Sequence, residues 1–129
     1  MTGAVLYQFG YDASGKLIRI TDNAGNVTKV ERNAQEQPTA IVSPYGQTTT
    51  LSVDSNGFLR EAKDPLGTSS SFQNSSRGLM LSRTDGKGNI FNYTYDSTGK
   101  LIKDADSLGG SVVLAQTGAS TGFGWTVDQ

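Results

Sequence analysis

Cysteine and histidine are both absent from these 129 residues, and the two gaps together close off much chemistry. No disulfide framework, zinc-thiolate site, or Ser/His or Cys/His nucleophile pair can be assembled from the chain alone. No apolar run approaches the roughly 20 residues that a membrane-spanning helix needs, so no membrane span is expected. Eleven basic and twelve acidic residues leave a formal charge of -1. They form neither a basic stripe nor an acidic block, which excludes the usual electrostatic footprint for nucleic acid or an anionic bilayer. Residues Met1 to Leu6 lack the basic start and apolar core of a secretory signal peptide, and the sequence is read as a piece of a larger protein. Helix is equally disfavoured, because there are 16 glycines and no sustained i, i+3, i+4 apolar pattern.

What is present is a repeat. Stepping by twenty-one from Gly25 lands on Gly46, Gly67, Gly88 and Gly109. The same step from Asp22 gives Ser43, Asp64, Asp85 and Asp106, and from Asp12 it gives Asn33, Asp54, Ser75 and Asp96. From Gly15 it gives Glu36, Gly57, Gly78 and Gly99, and from Leu17 it gives Pro38, Leu59, Met80 and Leu101. A period of this length decides the architecture before any site is considered.

Each period carries two D-x-x-G-like stretches, such as Asp12-Ala13-Ser14-Gly15 and Asp22-Asn23-Ala24-Gly25. Asp accepts a hydrogen bond from an N-H two residues on and Gly takes the left-handed conformation, which suits a type I turn with a bulge. Lys16 to Thr21 and Asn26 to Arg32 then have strand lengths. Phe9, Val30, Leu51, Phe72, Tyr93 and Leu114 form an apolar column with polar neighbours such as Lys29, Glu31, Gln73 and Thr94. This period-two alternation predicts one buried and one solvated face. The fold class is all-β, an antiparallel meander of five 21-residue hairpins forming a curved sheet or part of a spiral shell. The repeats run over residues 7–25, 26–46, 47–67, 68–88 and 89–109. Residues 111–129 form a sixth partial strand and a Gly-rich tail or cap, with Gln116 to Gln129 off the lattice. In the second repeat, Glu36 at a left-handed position and Pro38 in a strand point to a different turn.

Tyr11-Asp12-x-x-Gly15-x-Leu17, followed by Asp22-x-x-Gly25 and a strand ending in aromatic-x-Tyr (Phe9-Gly10-Tyr11, Tyr93-Thr94-Tyr95), resembles the YD or Rhs repeat across about residues 7 to 112. That family includes Rhs polymorphic toxins, insecticidal toxin complexes, wall-associated proteins and teneurins. The resemblance implies a hollow shell of many hairpins, encapsulation of a toxin, and a secreted or cell-surface setting within a larger bacterial protein. It implies no catalysis and no cofactor. Self-cleaving members end their repeats in a DPxG-type motif before a Gly-Gly stretch, to which Asp64-Pro65-Leu66-Gly67 and Ser107-Leu108-Gly109-Gly110 are similar. Both sit at ordinary turn positions and are read as turns.

Asp104 with Asp106, or Asp22 with Asn26, lacks the spacing of a calcium loop and is read as solvated. No metal site is expected. Tyr7, Tyr11, Tyr45, Tyr93, Tyr95 and Trp125 could form a sugar-stacking platform, but most of them, Tyr7 and Tyr11 included, are assigned to the core, where aromatic pairs stabilise neighbouring strands. Tyr45, inside Ser43-Pro44-Tyr45-Gly46, is the one aromatic expected to be free for ligand contact. Two functions follow as expectations: a structural shell module, or a surface module that binds carbohydrate or protein. The expected partners are further repeats, a second copy, or a toxin cargo. An apolar face without a covering layer predicts self-association.

Overall fold

The computed structural model describes residues 6–115 and 124–128. They fall into two compact units, Met1–Ser69 and Ser70–Gln129. The first holds β1 (Tyr7–Tyr11), β2 (Leu17–Asp22), β3 (Val27–Arg32), β4 (Pro38–Val42), β5 (Thr48–Val53) and β6 (Leu59–Lys63). The second holds β7 (Ser69–Asn74) from its second residue on, β8 (Met80–Thr84), β9 (Ile90–Tyr95), β10 (Leu101–Ala105), β11 (Ser111–Ala115) and β12 (Gly124–Asp128). Within each unit the strand order follows the chain and the pairs are antiparallel. The all-β meander expected from the repeat is the observed fold.

All ten connections from Asp12 to Gly110 close alike. The N-H of the first turn residue donates to the carbonyl of the fifth, and the N-H of the fourth donates to the carbonyl of the first. In the opening turn these bonds are Asp12 N to Lys16 O at 2.9 Å and Gly15 N to Asp12 O at 3.0 Å. The fourth residue has positive φ in every case, from 77° at Gly15 to 92° at Gly67, and 62° at Glu36. The second repeat therefore keeps the common turn, against the expectation raised by Glu36 and Pro38. Glu36 bears the left-handed cost of about 1 kcal/mol, and Pro38 is the first residue of its strand, a position that tolerates proline.

A second irregularity explains why the period is odd. Across β1 and β2, Gly10 faces Arg19 and Tyr11 faces Leu17, so Ile18 is bulged out of register. Thr39, Arg60, Leu81 and Ile102 are skipped in the same way. The alternate hairpins, such as β2 with β3 and β4 with β5, pair without a skip. Side chains alternate with period two, so an odd repeat would swap the faces at every step. One bulge per repeat absorbs the odd residue and keeps Phe9, Val30 and Leu51 on one side of the first unit, and Phe72 and Tyr93 on one side of the second.

That side is not a buried core. Ala40, at 6% exposure, is the only buried apolar residue among those described, and it lies opposite Glu31 and Thr50 on the polar face. Val30, Leu51, Phe72, Tyr93 and Leu114 are half-buried. Tyr7, Phe9 and Tyr11 are more than half exposed, because among the described residues β1 has a strand on one side only. The assignment of Tyr7 and Tyr11 to a core is therefore corrected: a single layer covers side chains only by their neighbours within the sheet. The tail also differs from its reading. Gly124–Asp128 pairs with β11, Trp125 opposite Leu114, at the same offset of eleven that sets Ile20 opposite Phe9. The lattice thus persists after the turn motif is lost, while residues 116–123 lie outside the described residues.

Candidate functional site

Most of the turn-opening residues singled out by the repeat do the same job. In the turns that open on Asp12, Asp22, Asp54, Asp64, Asp85, Asp96 and Asp106, one carboxylate oxygen accepts from the N-H two residues on and again from the N-H four residues on. At Asp64 these are Leu66 N at 2.9 Å and Thr68 N at 2.8 Å. Asn33 does the same with Gln35 and Gln37, and Ser75 with Arg77 and Leu79 at longer distances. The D-x-x-G pattern anticipates only the first of these two bonds. The second holds the residue immediately before the next strand, as Thr68 before Ser69, so the side chain fixes both the turn and the strand entry.

Asp22 and Asn26 are partners rather than metal ligands, since the Asn26 amide donates to the second Asp22 oxygen at 2.8 Å. That bond, with the N-H groups of the turn, holds the Asp22 carboxyl below its ordinary pKa. Asn89 does the same for Asp85. Among the described residues no cluster of three or more carboxylates could hold a metal ion. Asp64-Pro65-Leu66-Gly67 and the stretch at Gly109 are turns of the common kind. Pro65 and Gly67 occupy the two positions where a type I turn with a left-handed fourth residue accepts them.

The signature tyrosine has a role that no spacing argument found. The Tyr95 hydroxyl donates to the carbonyl of Met80, fifteen residues back and one strand away, at 2.7 Å. In the second repeat Arg32 occupies the tyrosine position and reaches the equivalent carbonyl, Leu17, through Nε at 3.3 Å and Nη2 at 3.2 Å. Leu17 and Met80 both immediately precede a bulged residue, where the ladder is interrupted and a carbonyl needs another donor. Arg32 also donates from Nη1 to the Glu36 carbonyl at 2.8 Å, and the Ser14 hydroxyl donates to the Glu36 carboxylate. The two departures of the second repeat therefore belong to one network that ties it to the first. Spacing could not reveal it, because Arg and Tyr share a donor but little else.

The two rims of turns differ in chemistry. The third residues of the turns following β1, β3, β5, β7 and β9 are Ser14, Gln35, Asn56, Arg77 and Thr98, all polar. Those of the alternate turns are Ala24, Tyr45, Leu66, Lys87 and Leu108. Tyr45 is 85% exposed, as the sequence predicts, and Leu66 and Leu108 exceed 90%. Pro44 and Pro65 precede two of these tips and stiffen them. On the apolar face, Arg83 stacks over Phe91 with its guanidinium carbon 4.4 Å from the ring centre.

A meander in which every hairpin closes with one turn, and in which tyrosine or its substitute clasps the preceding repeat, defines a module of a YD-repeat shell. The Teneurin YD-shell family model matches residues 1–129, and the chain belongs to that family. It is 34% identical over 103 residues to mouse Teneurin-4, covering 78% of this chain and 4% of the relative. Drosophila melanogaster Teneurin-m is 28% identical over 119 residues, covering 89% and 4%. The chain thus spans about 4% of the length of these curated relatives. Among solved structures, a TcdB2-TccC3 crystal structure aligns with a TM-score of 0.61 at 12% identity, over 84% of this chain and 6% of that one. The Photorhabdus luminescens Tc holotoxin pore aligns with a TM-score of 0.60, again at 12% identity, over 84% and 6%. These structural likenesses establish the fold.

Proposed function

We propose that this module is a non-catalytic wall segment that helps enclose or present a polypeptide cargo such as a toxin, as part of a larger secreted or surface-held bacterial protein. The observation that carries the reading is the uniform turn and bulge lattice, which keeps an apolar side and a polar side in register from β1 to β6 and from β7 to β11. A wall needs continuity more than a pocket. Five carbonyl-bulge junctions at fixed spacing supply that continuity, and the clasps by Arg32 and Tyr95 lock neighbouring repeats. The sequence has neither the imidazole that is the commonest general base nor a thiol nucleophile.

The test contrasts the two faces. A permanently unfolded, fluorescently labelled polypeptide should bind the parent chain, and Phe72→Asp on the apolar side should weaken that binding at least fivefold. Gln73→Asp, one residue along on the polar side, should leave it unchanged. Equal loss in both variants, or no binding by the parent, would remove support for a cargo-facing wall.

A second reading, a module that binds carbohydrate or protein on another cell, is favoured by the exposed tips Tyr45, Leu66 and Leu108. A glycan array with Tyr45→Ala as control separates the two readings. Tyr45-dependent glycan binding supports the second; an unresponsive array counts against a carbohydrate partner.

A further inference from the structure

One turn of the lattice joins a reactive pair of residues to a conformation that restrains it. Of the seven asparagines in the chain, Asn56 alone is followed by glycine. A carboxamide in that position is open to attack by its own main chain, because the next residue has no Cβ to shield its nitrogen. Such a ring closure needs no cofactor. Asn56 is the third residue of the Asp54-Ser55-Asn56-Gly57 turn between β5 and β6, and both it and Gly57 are exposed. A Cβ added at Gly57 would meet nothing within 4 Å, so solvent reaches this side of the turn. The other candidates are held differently. Asn26, Asn33 and Asn89 donate their amides to Asp22, Gln37 and Asp85, and Val27 and Ile90 crowd two of them from the next position. Asp85-Gly86 is the aspartate counterpart, yet its carboxylate accepts from the N-H groups of Lys87 and Asn89 and from the Asn89 amide. An ionised carboxylate is a poor electrophile.

We propose that Asn56 is a site of spontaneous deamidation gated by its turn. The Gly57 nitrogen gives its proton to solvent base and attacks Asn56 Cγ; the bond from Cγ to Nδ2 breaks, and ammonia leaves after taking a proton from solvent. A succinimide ring results. Water then opens the ring at either carbonyl, giving aspartate, or isoaspartate with the main chain running through Cγ. Water is consumed, ammonia is released, and nothing is oxidised. The closed turn opposes the first step, because Gly57 N donates to the Asp54 carbonyl at 3.0 Å and so keeps its proton. Asp54 Oδ1 reinforces the turn by accepting from Asn56 N at 2.9 Å and Phe58 N at 3.0 Å. Ring closure therefore proceeds from the open turn, at a rate set by how often these bonds break. The isoaspartyl product carries an added methylene in the main chain, which spoils the spacing of the two closing bonds, Gly57 N to Asp54 O and Asp54 N to Phe58 O. The register of β5 on β6 is then no longer fixed by its turn.

Peptide mapping by mass spectrometry, on the parent chain held in mildly alkaline buffer, tests this. The fragment containing Asn56 should gain the mass of an amide-to-acid exchange at least tenfold faster than the fragment containing Asn23, and it should resolve into two products of equal mass. Asp54→Ala removes two bonds from the turn and should speed the conversion at least fivefold. Urea should speed it in the parent and erase the difference between the two chains. Asn56→Gln, with the residue that Gln35 already places at the equivalent position, should leave the fragment unchanged over the same period, because its longer side chain closes the ring far more slowly. A parent in which Asn56 converts no faster than Asn23 overturns the proposal. Equal rates in the folded parent, in urea and in Asp54→Ala overturn it too, since the turn would then not be the gate. Neither outcome touches the wall reading, whose test is the contrast between Phe72 and Gln73.

Discussion

The second and fifth repeats solve one structural problem with different residues. In the fifth, Tyr95 reaches back to the Met80 carbonyl and Gly99 supplies the left-handed turn position at φ 86°. In the second, Arg32 reaches back to Leu17, and Glu36 holds the same turn position at φ 62°. Glu36 is strained where Gly99 is not, yet its carbonyl accepts from Arg32 and its carboxylate accepts from Ser14. The lesson is that the lattice is enforced by a requirement of the backbone: a donor for the carbonyl before the bulge, and a residue able to hold positive φ. The YD signature is one way of meeting it. Arg with Glu is another, and it recovers part of the strain through bonds to the neighbouring turn.

The sharpest way to break this equivalence is to remove both donors separately. Arg32→Met leaves the Leu17 and Glu36 carbonyls without their side-chain partner and should lower stability by about 2 kcal/mol. Tyr95→Phe deletes one hydroxyl and should cost about 1 kcal/mol. Chemical denaturation of each variant checks the order. Arg32→Lys should not restore the parent, because a single ammonium cannot reproduce the planar fork that spans two carbonyls. A full rescue by Lys would mean that charge, not geometry, holds the second repeat.

Next in size is the turn position. Gly99→Val should destabilise by about 1–2 kcal/mol, since a β-branched residue resists positive φ. An added Cβ there meets only Leu79 Cδ1 at 3.8 Å, an ordinary contact, so the cost is conformational. Gly67→Val and Gly88→Val should behave alike, with the latter's Cβ entering open space. The reverse change in the second repeat, Glu36→Gly, should stabilise by about 0.5–1 kcal/mol. It relieves the left-handed backbone and loses only an exposed bond to Ser14. A loss of stability on Glu36→Gly would show the Ser14 bond to outweigh the strain.

Much of this was legible in the sequence because the turns depend on local chemistry. Asp at the first position and Gly at the fourth specify a conformation without help from the rest of the fold, so ten turns and their strands could be placed by counting. The signals that failed are those that act across strands. The bulge at Ile18 and its equivalents has no residue type of its own: Ile, Thr, Arg, Leu and Ile occupy it. The Tyr95 clasp spans fifteen residues, and Arg32 disguises it. Burial was overestimated because period-two alternation reveals which side is apolar, not whether a second layer covers it. Trp125 joined the lattice through pairing with β11 alone, after the D-x-x-G code had stopped.

The smallest expected effect separates the two repeats by charge. The fifth opens its first turn on Asp96, whose carboxyl is held below its ordinary pKa first by the Thr98 hydroxyl and then by the N-H groups of Lys100 and Thr98. The second opens on Asn33, which accepts the same two backbone bonds, from Gln35 and Gln37, and does not titrate. A carboxyl whose folded pKa is depressed adds stability that is present above the unfolded value and is lost as pH falls through the folded one. Asp96 should therefore support its turn at neutral pH and release it only in acid, below about pH 4, whereas the Asn33 turn should be indifferent. Because Asp96 is at the surface, the global melting temperature is a poor gauge of this difference. Amide chemical shifts report it residue by residue: Thr98 and Lys100 should move together on acidification while Gln35 and Gln37 stay fixed. Asp96→Asn should flatten the fifth repeat's response to match the second's. If Gln35 and Gln37 titrate as strongly as Thr98 and Lys100, the acid response belongs to the whole sheet, and the side-chain bond of the turn is not its cause.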